Sequence, residues 1–256
     1  MSGHSKWATI KHRKGAADKA RGKLFAKLIR QVEVAAREGG GDPESNPTLR
    51  TMYQKARDAS VPTDTIDRAI KRGTGELEGV TYEHVSYEGY APNGVAVYVE
   101  CLTDNRNRAG AEIRSLFTRN GGSLAEPGAV AWQFVRKGVV ILPKRSPAAA
   151  ELVSEDDLML AALDAGAEDI KDQGDTWELT CAPGDLGRIR AALEEAGLRF
   201  DSAEVTMVPT TTVELSSESD ARRVLRLVDA LEDHDDVQAV YSNFDVPDSI
   251  LQEVEA

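Results

Sequence analysis

The chain has 256 residues, 41% of them hydrophobic, and a net charge of −12, enough apolar content for one large domain or for two or three small ones. No stretch approaches the roughly 20 apolar residues that a membrane span needs, and Met1 to Lys14 is polar and basic, unlike an apolar signal core, so a cytoplasmic protein with no membrane partner is expected. The acidic balance alone argues against a nucleic-acid partner, but residues 1–75 carry 16 Lys/Arg against 8 Asp/Glu, net +8, and the remainder 15 against 35, net −20: a basic head on an acidic body.

The head reads as helical. From Lys23 to Glu38 the residues Phe25, Ile29, Val32 and Ala36 recur at the spacing of one helix face, and Gly39-Gly40-Gly41 ends the run. A loop from Asp42 to Pro47 leads to a second helix, Thr48 to Ala59, and Val61-Pro62-Thr63 restarts a third, with Thr63 as its expected N-cap and Ile66 and Ile70 inward. Gly73 to Gly79 reads as a linker.

After Val80 the period becomes two. Strands are expected at Tyr82 to Gly89 and Val95 to Leu102, joined in a hairpin by Ala91-Pro92-Asn93-Gly94, where proline presets the turn and Asn or Gly accepts positive φ. A helix from about Asn107 to Arg119 and a strand from Val130 to Val135 follow. From Gly138 to Val208 the order is strand (Val139 to Leu142), helix (Glu155 to Ala165), strand, hairpin near Gly174, strand (Thr176 to Cys181), helix (Leu186 to Ala196), strand (Arg199 to Val208): the ferredoxin-like βαββαβ order. A strand at Thr211 to Leu215, a helix at Asp220 to Leu231 and a strand at Val237 to Phe244 cannot form a domain alone and are expected to complete the sheet begun at Val80. The fold class is therefore α+β in three domains: a basic helical domain over 1–79, a discontinuous α+β domain over 80–137 and 209–246, and an inserted ferredoxin-like domain over 138–208, with 247–256 as a tail.

The strongest chemical signal is the cationic start: Lys6, Lys11, Arg13, Lys14, Lys19, Arg21, Lys23, Lys27 and Arg30, opposed only by Asp18. Lys23, Lys27 and Arg30 share a helix face roughly opposite Phe25, Ile29 and Val32, so that helix can pack and present a cationic ridge at once. Such a ridge neutralises phosphates, while Trp7, His4 and His12 offer rings for stacking on unpaired bases. At Thr103-Asp104-Asn105-Arg106-Asn107-Arg108 a strand passes into a helix; an Asp or Asn cap explains part of it, but Arg106 and Arg108 near a positive helix end suggest a phosphate or carboxylate contact. Ser154-Glu155-Asp156-Asp157 reads as a cap with first-turn acids, and Glu232 to Asp236 has only His234 as a nitrogen ligand, so no metal or other cofactor is expected. Cys101 and Cys181 sit in phase with alternating apolar runs and read as buried reduced thiols. No nucleophile elbow, phosphate loop, zinc-protease motif or paired carboxylates motivate catalysis, and no enzyme is expected.

GHSKW at Gly3 to Trp7, IKHRKGAADKARGK at Ile10 to Lys23, NPTLR at Asn46 to Arg50, AIKRGTGE at Ala69 to Glu76 and TDNRNRAGAEIR at Thr103 to Arg114 resemble the YebC/PmpR family over essentially the whole chain, most weakly from Pro143 to Arg199. Ala91, Ala125 and Ala129 depart from it, standing where Gly, Gly and Ser are usual. The resemblance implies a helical N-terminal domain, two α+β domains, no cofactor and no reaction. It also implies a regulator of gene expression, either a transcriptional regulator binding promoter DNA or a translation factor that assists ribosomes at proline-rich segments. The nucleic-acid contacts it carries over are Lys6, Trp7, Lys11, His12, Arg13, Lys14, Lys23 and Lys27, with Arg106 and Arg108 second. Of the two targets, ribosomal RNA fits a cationic, ring-bearing head on an acidic body better than a long duplex does.

Overall fold

The stripe Phe25, Ile29, Val32 and Ala36 lies on the inner side of helix α1 (Asp18–Gly39), which packs against α2 (Pro47–Asp58) and α3 (Thr63–Gly73). The computed structural model describes residues 18–145, 152–247 and 250. Leu28, Val32, Ala35, Ala36, Leu49, Ala56 and Ile66 form the core of these three helices. Asn46 joins two of them: its Oδ1 accepts from Leu49 N (3.0 Å) and caps α2, while its Nδ2 donates to Ala35 O and Gly40 O (2.8 Å each) at the end of α1. A Cβ on Gly73 would lie 2.4 Å from Glu33 O, so the close crossing of α3 on α1 requires glycine there. Thr63 does not cap α3 as expected. It is the helix's first residue, preceded by Pro62 without a side-chain cap, and its hydroxyl accepts instead from Arg57 Nη1.

Strands β1 (Glu83–Tyr90) and β2 (Ala96–Thr103) form the expected hairpin through a turn in which Asn93 and Gly94 take φ of 64° and 74°. Helix α4 (Arg106–Arg119) and the short β3 (Ser123–Leu124) follow. After the second α+β segment the chain returns through β8 (Val213–Glu214), α7 (Glu218–Glu232), β9 (Val237–Ser242) and β10 (Phe244–Asp245). The sheet order is β3-β1-β2-β9, so β9 pairs antiparallel with a strand about 140 residues earlier, as in Tyr98 opposite Tyr241. Val97, Val99 and Cys101 of β2 pack with Ile113, Phe117, Val224, Leu227, Val228 and Leu231. Two expectations need correcting here. The strand near Thr211 to Leu215 does not join this sheet but forms the separate parallel pair β8–β10, and the strand expected at Val130 to Val135 begins only at Phe134, after a 3-10 turn at Ala131–Gln133.

That next strand, β4 (Phe134–Pro143), merges what the sequence split at Gly138. Gly138 is no break: it faces Cys181 across the sheet, and a Cβ there would lie 2.5 Å from the Cys181 Sγ. With α5 (Glu155–Ala162), β5 (Ala167–Asp172), β6 (Thr176–Cys181), α6 (Leu186–Glu195) and β7 (Ser202–Pro209) it gives an all-antiparallel sheet of order β5-β6-β4-β7, the ferredoxin-like arrangement. Its core gathers Val140, Leu142, Leu158, Ala162, Trp177, Leu179, Cys181, Ile189 and Leu193 between sheet and helices. The described residues thus fall into two units, this one over Trp132–Thr212 and a second from the chain on either side of it. The unit begins six residues before Gly138 and ends four after Val208, because β4 and β7 pair out to Phe134 opposite Pro209.

Candidate nucleic-acid interface

Helix α7 ends at Glu232 with no basic residue in its last turn, so its terminal carbonyls and the partial negative charge of the helix end need donors from elsewhere. Helix α1 supplies them. Lys27 Nζ donates to Glu232 O (2.5 Å), and Lys23 Nζ donates to Asp233 O (2.9 Å) and pairs with its carboxylate (2.7 Å). One and two turns on, Arg30 Nη1 donates to Asp235 O (2.6 Å) and Asp236 Oδ1 (3.0 Å), with its guanidinium 5.4 Å from the Tyr82 ring centroid. Burial lowers the Lys27 pKa, against the raising effect of Glu232, Asp233 and Asp235. The face that the sequence presents as a free phosphate-binding ridge is therefore turned onto the loop Glu232–Asp236 of the same chain. The physical reason is charge complementarity between a helix face with cations at i, i+4 and i+7 and an acidic helix end.

Asp236 is the centre of this contact and is 3% exposed. Its Oδ1 takes Arg30; its Oδ2 accepts from Thr103 Oγ1 (2.9 Å) and Arg108 Nη2 (2.8 Å). The Asp236 N–H donates to His234 Nδ1 (3.1 Å), which places a proton on His234 Nε2 for the 2.8 Å bond to Glu112. Burial pushes the Asp236 carboxyl up, but hydrogen bonds from Arg108 and Thr103, with the charges of Arg108 and Arg30, outweigh it and hold the group below the usual carboxylate range. The same carboxylate adds to burial in pushing the Cys101 thiol up to about 12, which leaves that cysteine an inert packing residue.

The second predicted cluster divides. Asn105 caps α4 by accepting from Arg108 N (3.1 Å), and Arg108 reaches Asp104 (2.8 Å) as well as Asp236, so its charge serves the acidic loop. Arg106 stays exposed, 3.8 Å from Glu83. Lys19 and Arg21 lie in the first turn of α1. Lys6, Trp7, Lys11, His12, Arg13 and Lys14 lie outside the described residues. Elsewhere on the head Arg68 and Lys71 are exposed on α3, where Asp64 and Asp67 offset them, and Arg50 and Arg57 are exposed on α2, whose one acid is Asp58.

Sequence reasoning missed Asp236 and Glu88. Glu88, on β1, is 6% exposed and accepts from Gly128 N (2.7 Å), Val130 N (2.7 Å) and Ala131 N (2.8 Å), so one buried carboxylate shapes the loop between β3 and β4. Burial raises its pKa, but the three N–H donors outweigh that and set it below normal. The alanines that depart from the family pattern serve here through their backbones. Ala91 has φ −77°, which any residue adopts, Ala125 N donates to Glu88 O (2.8 Å), and Ala129 O accepts from Tyr90 (3.2 Å). Among the described residues no group of three or more His, Cys, Asp or Glu is placed to hold a metal ion, and no helix is long and apolar enough to cross a membrane.

A three-helix head fastened to a discontinuous α+β sheet domain that carries a ferredoxin-like insertion defines a three-part α+β class. Comparison with known proteins places the chain within it. The family profile described as "TACO1/YebC protein N-terminal domain" matches residues 5–76, and that described as "TACO1/YebC second and third domain" matches residues 82–244. The chain is 58% identical to a "Probable transcriptional regulatory protein" of Acidothermus cellulolyticus over 99% of this chain and 100% of that one. It is 54% identical to one from Halothermothrix orenii over 99% of each. The crystal structure of a conserved hypothetical protein from Aquifex aeolicus superposes with a TM-score of 0.78 at 45% identity, covering 91% of this chain and 93% of that one. The chain belongs to the TACO1/YebC family.

Proposed function

We propose that this protein is a non-enzymatic, cytoplasmic regulator of gene expression that engages ribosomal RNA through its basic N-terminal segment and acts as a ribosome-associated translation factor for proline-rich segments. The observation that carries the reading is the use of the α1 face. With Lys23, Lys27 and Arg30 turned onto Glu232–Asp236, the cationic charge left for a polyanion is concentrated in residues 1–21. Residues 1–17 hold Lys6, Lys11, Arg13 and Lys14, the rings of His4, Trp7 and His12, and no acid. Lys19 and Arg21 continue the charge, and the exposed Arg106 is a second-rank contact, whereas Arg108 is engaged by Asp104 and Asp236. A short cationic, ring-bearing segment on a body of net −20 suits a folded RNA whose phosphates line a pocket, because the acidic domains stay outside while the segment enters. A long duplex would run along the acidic body and be repelled by it.

A second reading is favoured by the relatives' names: a transcriptional regulator at promoters. Groove readers insert a cationic helix, whereas the most cationic described helix face here is already engaged. Gradient cosedimentation with ribosomes at moderate salt separates the two. Wild type should travel with ribosomes, and the Lys11→Glu, Arg13→Glu, Lys14→Glu variant should stay at the top with unchanged circular dichroism. If wild type stays at the top yet protects a defined promoter sequence at the same salt, the promoter reading replaces this one.

A further inference from the structure

Helix α5 of the ferredoxin-like unit has an outer face that an ordinary solvated helix does not. Its inward side is Leu158 and Ala162, both fully buried. At about 100° per residue the opposite side of the helix runs through Glu155, Met159, Asp156 and Leu160; Leu163, the C-cap residue with helical φ and ψ, continues it, and the exposed Asp164 follows in the turn. Met159 is 46% exposed, Leu163 60% and Leu160, at the crest, 88%. Three large apolar side chains therefore stand in solvent on barely two turns, with acids interleaved among them. Asp157 belongs to the capping box with Ser154, whereas Glu155, Asp156 and Asp164 are exposed on the rim. Contiguous exposed apolar surface with a charged rim marks an interaction face, and the sign of the rim selects the partner.

From this juxtaposition we propose that the outer face of α5 docks a cationic amphipathic helix of a protein partner. Its apolar residues meet Met159, Leu160 and Leu163, and its Lys or Arg side chains meet Glu155, Asp156 and Asp164. The rim disfavours the other occupants: nucleic acid and an anionic bilayer share its sign, and a second copy of the face would set acids against acids. Helix on helix is the geometry a protruding ridge allows, with side chains of one seated between those of the other.

The test uses the full chain and a fluorescent 20-residue peptide with leucines on one helical face and Lys/Arg on the other. Anisotropy should show saturable binding that weakens with salt. Amide exchange should show protection at Glu155–Leu163. The Leu160→Lys, Leu163→Lys variant, at unchanged thermal stability, should bind about tenfold or more weakly, as loss of two buried leucines implies. An Asp156→Lys, Asp164→Lys variant should retain binding to a matched peptide carrying Glu in place of Lys/Arg and lose it to the cationic one. Equal affinity of wild type and the leucine variant, or protection confined to other residues, overturns the proposal. So does a concentration-dependent dimer in sedimentation that the leucine variant abolishes, which would make a second copy the occupant.

Discussion

Asp236 meets Arg30 from 206 residues away in sequence and Arg108 from 128, and that separation explains why no pattern in the chain revealed it. What was legible at this scale was periodic: the inward residues of α1 and α3 follow from spacing alone. What was not legible was pairing, because a buried carboxylate and a solvated one look alike in sequence. Thr63 failed for a related reason, since Arg57 offers its hydroxyl a charged donor that local propensity cannot anticipate. Removing Asp236 takes away the one carboxylate that Arg30, Arg108 and Thr103 share, leaving Arg30 the Asp235 carbonyl, Arg108 the exposed Asp104 carboxylate and Thr103 the Asn105 carbonyl. Asp236→Ala should lower unfolding stability by about 2–4 kcal/mol, read from urea midpoints at neutral pH. The pH dependence has a definite sign. The folded Asp236 pKa lies below the unfolded value of about 3.9, so its contribution is complete above that value and disappears as pH falls through it to the lowered folded pKa. Glu88 acts in the same direction. Wild type should lose stability from about pH 5 downward, and Asp236→Asn should lose less over the same window. Parallel wild-type and Asp236→Asn curves would show that Asp236 is not held below its unfolded pKa.

At the scale of elements, the amphipathic character of α1 was readable, but the destination of its polar face was not. A helix face with three cations looks the same whether it awaits a phosphate or covers the end of another helix. The contacts also rank the three. Lys23 pairs with an Asp233 side chain that is 73% exposed, so Lys23→Ala should change stability by less than about 1 kcal/mol. Arg30 reaches a nearly buried carboxylate, so Arg30→Ala should cost more. The triple variant Lys23→Glu, Lys27→Glu, Arg30→Glu sets like charges against Glu232–Asp236 and should loosen the head from the sheet domain. Amide exchange of 232–237 should rise, with partial recovery on adding Asp233→Lys and Asp235→Lys. Unaltered exchange in the triple variant would show that this contact does not hold the head. Among strands, Gly138 misled because glycine usually punctuates a sequence, whereas here it makes room for the Cys181 sulfur. Gly138→Ala should therefore lower the melting temperature, although alanine is the better strand residue in open space.

For the whole molecule, the alternation of strands and helices announced the insertion, and the charge split announced a head unlike its body. Neither revealed that part of the head's charge is spent internally, and this bears directly on how the protein should respond to salt. Nine Lys/Arg fall within the first thirty residues; three of them, Lys23, Lys27 and Arg30, are engaged by Glu232–Asp236. If those three stay engaged on binding, about six phosphates can be neutralised, and the log-log slope of affinity against salt for a single-stranded RNA should be about −4. If the acidic loop lets go and all nine contribute, the slope should be about −6. The two values are separable with a generic oligonucleotide in fluorescence titrations across a fourfold range of salt. With the loop engaged, deleting residues 1–17 should remove most of the affinity, because four of the six available cations go with it. Lys23→Ala should leave the slope unchanged. A slope near −6 that falls in Lys23→Ala would mean that RNA displaces the acidic loop and the α1 face is a binding surface after all. A slope near −4 that survives the deletion would move the interface off the N-terminal segment altogether.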